Sequence, residues 1–309
     1  MKKFFLATLW PVLMAFDVQA QTIGLSMSDL DNFRTTLQEG VVAKAQATPG
    51  VKLVVQTAGG KNDVQMQQIK QMIADKVDAI IVGISDGDLG PQISKMASDA
   101  NIPLVYVNNV PSNLADLPDN QAVSASDELE SGTLQTKEIC SMLKGKGKVV
   151  VLIGEPFHAA ARARTEDVDR VLATPECSGV QIVERQAAFW SRDLADQQVQ
   201  EWISAGVKFD AVIANNDDMA LGAIRAMKRN GVSTSKVLVA GIDAIGDALT
   251  AMQAGDLAVT IRQNGRGQGA VAVDAALKMI KSEKVPRENN VPFELVTRKN
   301  LVNYLPKSQ

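Results

Sequence analysis

Nine short, nearly unbroken apolar runs, separated by helical patterns, constrain this chain more than any other feature. In order they are TIGLSM (22–27), VKLVVQTA (51–58), DAIIVGI (78–84), PLVYVN (103–108), KVVVLIG (148–154), GVQIVE (179–184), DAVIAN (210–215), KVLVAGI (236–242) and LAVTI (257–261). A strand with one wet face alternates apolar and polar residues. These runs do not, so both faces must be covered, as in a parallel sheet between layers of helices. The intervening segments supply the helices. In NDVQMQQIKQMIADK (62–76), Met66, Ile69, Met72 and Ile73 recur every three or four residues and line one face. That stripe reads as core, with Asn62 or Asp63 as the expected cap. The repeated β-α unit predicts an α/β fold of doubly wound parallel sheets. Nine strands strain one open sheet, so two sheets are expected. VPSNLADLPDNQAV (110–123), with Pro111 and Pro118, breaks the rhythm and places a domain change near 124–126.

The chain has 309 residues, the length of about two domains, and a formal charge of -3, which supplies no basic face for nucleic acid or an anionic membrane. Residues 1–20, MKKFFLATLWPVLMAFDVQA, have two lysines, an apolar run from Phe4 to Phe16, and Val18-Gln19-Ala20 as a small-x-small site. That is the pattern of a secretory signal cleaved after Ala20, and the run is shorter than the ~20 residues of a membrane span. Export permits a disulfide. Cys140 falls late in a predicted helix and Cys177 just before a strand, and the two are expected either to bridge or to be buried as separate thiols.

Doubly wound sheets bind ligands beyond the carboxyl ends of their strands. The residues there are Ser28–Phe33, Asn108 and Asn109, Arg162 and Arg164 in EPFHAAARAR, Phe189-Trp190-Ser191-Arg192, Asn215 and Asn216, Asp243, and Arg262 with Gln263. Amides, carboxylates and guanidiniums offer paired donors and acceptors, and vicinal hydroxyls need both. An aromatic face suits the C–H face of a ring. Each residue alone reads as a turn or a cap. Seven such strand ends together predict a site for a small polyol.

The stretches NNDDMALGA (215–223) and VAGIDAIGDALTAMQAGDLAVTIRQ (239–263) resemble the periplasmic sugar-binding proteins of ABC importers, of the ribose and galactose group. IGLSMSDLDNF (23–33), VDAIIVG (77–83), IPLVYVNN (102–109) and FELVT (293–297) are most similar to the inositol-binding and rhizopine-binding branch. The resemblance covers nearly all of the chain after the signal. It implies two lobes, 21–125 plus 264–293 and 126–263 plus 294–309, joined by crossings near 125, 263 and 293, with the ligand in the cleft. It implies a periplasmic location, an inner-membrane permease as partner, optionally a chemoreceptor, and no cofactor. By position it carries over Asp31, Asn32 and Phe33 from the first loop, Asn108 and Asn109, the bidentate Arg164, the stacking Trp190, and Asn216, Asp243 and Gln263 as ligand contacts. Asn109 stands where the family commonly has a basic residue, and the first loop is short. Both departures disfavour ribose and suit a cyclitol bearing an amine.

Competing motifs are weaker. Gly265-x-Gly267-x-x-Ala270 follows a strand and opens a helix, but the acid expected after the next strand of a dinucleotide site is missing. KGKGK (144–148) lacks phosphate-loop order and reads as a solvated turn. The lone His158 reads as a surface residue, Trp202 as core, and Glu166 and Asp167 as solvent-facing. No Ser-His-Asp set is present. A repressor-like effector domain would need an N-terminal helix-turn-helix, and a nucleotide-dependent sugar enzyme would need the missing acid. The expectation is a binder that breaks no bond.

Overall fold

The computed structural model describes residues 20–305, so all of the predicted signal before Ala20 lies outside the described residues. Twelve strands form two six-stranded sheets. The first sheet contains β1 (Gln21–Met27), β2 (Val51–Thr57), β3 (Ala79–Gly83), β4 (Leu104–Val107), β5 (Gln121–Ala125) and β11 (Glu288–Asn290), in the order β11-β5-β4-β3-β1-β2, all parallel. The second contains β6 (Lys146–Ile153), β7 (Gly179–Ala187), β8 (Ala211–Ala214), β9 (Leu238–Asp243), β10 (Val259–Arg262) and β12 (Glu294–Thr297), in the order β12-β10-β9-β8-β6-β7. Only β12 is antiparallel, against β10. Strand order reverses between β1 and β3 in one sheet and between β6 and β8 in the other, and crevices open at such switch points.

The helices are α1 (Asn32–Gln46), α2 (Asn62–Ala74), α3 (Gly90–Asp99), α4 (Glu128–Met142), α5 (Ala159–Leu172), α6 (Arg192–Ser204), α7 (Asp217–Arg229), α8 (Gly246–Ala254) and α9 (Gly265–Ile280). They cover both faces of each sheet, which is why the central strands carry unbroken apolar runs. Ile23, Leu25, Ile81 and Val105 pack on one side with Leu37 and Val41 of α1 and Ala272 and Val273 of α9. Ile80, Val82, Leu104 and Tyr106 pack on the other with Met66, Ile69 and Met72 of α2. Fully burying one such aliphatic side chain contributes about 1.5–3 kcal/mol. The second sheet repeats the plan, with Val150, Leu152 and Val212 against α6 and α7, and Val149, Val151 and Ile213 against α4 and α5. Gly40 lets α1 and α9 touch, since a Cβ there would lie 2.3 Å from the Arg266 carbonyl oxygen.

The chain passes between the sheets three times, from β5 to α4, from β10 to α9 and from β11 to β12. Hydrogen bonds join these passages. Asn108 Nδ2 donates to Gln268 Oε1 (3.3 Å), Gln268 Nε2 to Ser126 Oγ (2.8 Å), and Ser126 Oγ to the Val291 carbonyl (2.5 Å).

The structure differs from expectation in several places. β5 and β11 were not foreseen. β5 is fully buried yet carries Gln121 and Ser124, which its neighbours satisfy: Ser94 Oγ donates to Gln121 Oε1, and Ser124 Oγ to the Gln268 carbonyl. Neither Asn62 nor Asp63 caps α2; Lys61 holds the cap position without a side-chain bond. Asp167 is buried, accepting from the Thr133 N–H at 3.0 Å and pairing with Arg170, while Glu166 is exposed as expected. Burial raises the Asp167 carboxyl to about 6. Cys140 of α4 and Cys177 ahead of β7 are disulfide-bonded.

Candidate functional site

Because every parallel strand runs toward the cleft, each following helix presents its N-terminus there. N-caps adopt extended backbone and prefer short polar side chains, so the fold itself concentrates polar groups at this edge. Asp31 caps α1, accepting from the Arg34 N–H at 2.6 Å. Asn216 caps α7, accepting from the Met219 N–H at 3.0 Å. His158 caps α5, its Nδ1 accepting from the Ala160 N–H at 3.2 Å. The positive ends of three helix dipoles therefore face one pocket, which favours ligand oxygens.

The pocket and its open mouth together enclose about 380 Å³ of space between atoms, open solvent included. Asp31, Phe33, Arg34 and Asn108 line it from the first sheet, and Glu128, His158, Ala160, Arg164, Trp190, Asn216, Asp243 and Gln263 from the second and the passages between.

Arg164 is the pivot. It is 4% exposed, and its guanidinium donates to Glu128 (2.9 and 3.3 Å), the Asn215 carbonyl (2.8 Å) and Gln263 Oε1 (3.1 Å). It also stacks over Trp190 at 5.8 Å and Phe293 at 6.0 Å. Asp243 lies 4.0 Å from it, a loose contact, and accepts no hydrogen bond from the described residues. Burial first, then the neighbouring Asp217, Asp31 and Glu128 carboxylates, push the Asp243 carboxyl well above its ordinary range against the pull of Arg164. Asp217 behind it is fully buried. It accepts from Thr260 Oγ1 (2.7 Å) and the Ile245 N–H (3.0 Å), yet burial raises it to about 7.

The backbone is strained here. Asn108 (φ 69°), Phe189 (52°), Trp190 (63°), Asp243 (125°) and Ala244 (55°) all have positive φ. Non-glycine residues rarely adopt that region, and such strain clusters at functional sites. The turn at Asn108 separates two adjacent amides. Asn108 lines the pocket, while Asn109 points away and donates to the Ser85 carbonyl at 3.0 Å. Trp190 lies flat on Gly154, where a Cβ would come within 2.3 Å of the indole ring.

Of the ten expected ligand contacts, the structure gathers Asp31, Phe33, Asn108, Arg164, Trp190, Asn216, Asp243 and Gln263 around one pocket. It does not bring Asn32 or Asn109 to the lining. Asn32 is exposed and spans the cleft instead, its Nδ2 donating to both Asp218 oxygens at 3.0 and 3.1 Å. The positive φ of Asn108 accompanies an Asn109 turned away from the pocket, toward the loop after β3. Arg34, Glu128, His158 and Ala160 line the pocket without having been foreseen. Arg34 sits one helical turn after the Asp31 cap, a spacing that carries a signal. Glu128 and His158 become neighbours of Arg164 and Trp190 only through the fold. His158, expected on the surface, is buried, with its ring edge-on to Trp190 at 5.5 Å. The described residues contain no helix long and apolar enough to cross a membrane and no cluster arranged to hold a metal ion.

The profile of a family described as the periplasmic binding protein domain matches residues 23–284. A protein of Rhizobium meliloti assigned to rhizopine binding is 49% identical over the full length of both chains. A xylitol-binding protein of Mycolicibacterium smegmatis is 32% identical, covering 93% of this chain and 80% of its own. The crystal structure of an ABC transporter solute-binding protein of Bacillus halodurans with bound myo-inositol superposes with a TM-score of 0.86. It is 35% identical and covers 94% of this chain and 98% of its own.

Proposed function

The chain belongs to the periplasmic binding protein family, and on that premise we propose that it captures a cyclitol or closely related polyol in the periplasm and delivers it to an ABC permease. The observation that carries this reading is the pocket itself. Amide, carboxylate and guanidinium groups from both sheets surround one space that Trp190 and Phe33 also line. Relatives named for rhizopine, xylitol and myo-inositol support the same ligand class. The residues that contact the ligand are Asp31, Phe33, Asn108, Arg164, Trp190, Asn216, Asp243 and Gln263.

Mechanism here means affinity and a change of shape. The three passages between the sheets form a hinge, and the lobes close on the ligand. Each hydroxyl buried on closure must find partners, since an unpaired buried polar group costs about 1–3 kcal/mol. The closed form then presents both lobe surfaces to the permease and, in the same way, to a chemoreceptor. No bond is broken, so the chain acts as a binder rather than an enzyme.

Charge refines the ligand. Asp31 pairs with Arg34 at 3.1 Å and Glu128 with Arg164 at 2.9 Å, leaving Asp243 as the carboxylate without a close cation. A ligand ammonium would complete that set, so an inosamine, the class to which rhizopines belong, is the preferred ligand. Titration calorimetry of the purified protein with an inosamine, myo-inositol and ribose tests this. The expected order of affinity is inosamine, then inositol, then ribose, and tighter binding of ribose than of either cyclitol would remove the proposal.

A further inference from the structure

We infer that His158, the chain's single histidine, is a specificity-determining ligand contact: its Nε2–H is a fixed donor that requires an acceptor oxygen on the bound ring. The inference rests on the polyol reading above and assigns a role to a residue that reading does not use.

The geometry fixes the tautomer. Nδ1 accepts the Ala160 N–H at 3.2 Å as the cap of α5, so the proton of the neutral ring sits on Nε2. The cap also fixes the position of the ring, because α5 is anchored in the core through Val168 and Val171. Trp190 fixes the tilt. Its ring stands at 82° to the imidazole, with centroids 5.5 Å apart. The imidazole is 8% exposed and lines the same pocket as Asp31, Asn108 and Arg164. Among the described residues, Nε2 has no hydrogen-bond partner in the protein.

The ring also stays neutral. Burial, then the guanidiniums of Arg34, Arg164 and Arg162, lower its pKa to about 3. Asp31, Glu128 and Asp243 share the pocket, and Asp86, Asp88 and Glu155 line the groove on its outer side, but these carboxylates do not reverse that balance. A neutral imidazole with one committed nitrogen cannot serve as acceptor on the other. An ammonium facing Nε2 is therefore rejected, a hydroxyl there must act as the acceptor, and the ligand's nitrogen is directed toward Asp243. One ring position must carry an acceptor oxygen, and one orientation of the ring is selected.

The test uses the full mature chain, with myo-inositol and its monodeoxy analogues as probes. In two-dimensional ¹⁵N spectra the lone imidazole should show the Nε2–H tautomer, and its Nε2 resonance should shift when myo-inositol is added. His158→Asn keeps a capping side chain through its Oδ1, and its shorter amide leaves no donor at the Nε2 position. It should bind myo-inositol tenfold or more weakly while melting near the wild type. One monodeoxy-inositol that binds the wild type at least fivefold more weakly than myo-inositol should show no such difference with His158→Asn. If the wild type binds myo-inositol but the ring is Nδ1–H, or its Nε2 signal does not move, or His158→Asn binds within twofold of wild type, the assignment is overturned and the polyol reading stands. If the wild type binds no polyol at all, both fall.

Discussion

Replacing Asp243 by Asn separates a charge requirement from a hydrogen-bonding one. The side chain keeps its shape and one acceptor and loses its charge. In the structure the nearest cation to Asp243 is Arg164 at 4.0 Å, and that guanidinium is already engaged by Glu128 at 2.9 Å. A ligand ammonium would therefore be the main partner of Asp243. Coulomb attraction at 4 Å is about 4 kcal/mol at an effective dielectric of ~20, and stripping water from both ions takes back much of it. A net charge-assisted hydrogen bond of about 1.5–3 kcal/mol remains. Asp243→Asn should then weaken an inosamine by roughly 10- to 150-fold. Against myo-inositol only a neutral-ligand bond is altered, about 0.5–1.5 kcal/mol, or roughly 2- to 12-fold. Parallel calorimetric titrations of both ligands against both proteins measure the difference. Equal losses for the two ligands, or no loss for either, would refute the argument that Asp243 awaits a cation.

Three further outcomes follow from the same structure. Burial raises the Asp217 carboxyl to about 7, so between pH ~4 and ~7 the folded chain holds a proton that the unfolded chain has released. That contribution makes the unliganded protein less stable as pH rises through this window, and melting curves from pH 4 to 8 should show a smaller decline in Asp217→Asn than in wild type. Gly154→Ala would press a methyl into the Trp190 ring, so Trp190 fluorescence should change and inositol affinity should fall roughly 2- to 12-fold, the worth of a displaced aromatic contact. The Cys140–Cys177 bridge spans 37 residues, and loop-closure entropy assigns such a bridge about 3–4 kcal/mol. Urea unfolding of Cys140→Ser/Cys177→Ser should show that loss, while inositol affinity stays near wild type because the bridge lies away from the pocket.

The parallel sheets were legible because two-sided burial leaves runs such as AIIVG that no alternating surface strand would show. β5 and β11 were not, for opposite reasons. β5, QAVSA, hides its polar groups in bonds to Ser94 and to the Gln268 backbone, which no local pattern announces. β11 is three exposed or half-exposed polar residues held by pairing with β5 alone. In the site, residues at strand ends were readable because the doubly wound fold places strand ends together. Which of two neighbours lines the pocket was not readable. Asn108 and Asn109 differ only by a backbone turn with φ of 69°. His158 had no signal, because its setting comes from neighbours that only the fold supplies: Trp190, thirty-two positions later, against its ring, and guanidiniums from two helices that help keep it neutral. Asn216 was readable as a pocket-lining residue but not in its second duty, since its oxygen also caps α7.

The central claim is spatial: one ring of hydroxyls sits between the two sheets, walled by Trp190 and bonded by Arg164, Asn216 and Asp243. A crystal structure of the protein grown with myo-inositol measures this directly. The account predicts the cyclitol in the cleft, one ring face against the Trp190 indole, with hydroxyl oxygens within about 3 Å of Arg164, Asn216 and Asp243. Inositol bound elsewhere on the surface, or a closed cleft whose Trp190 touches no part of the ring, would contradict it.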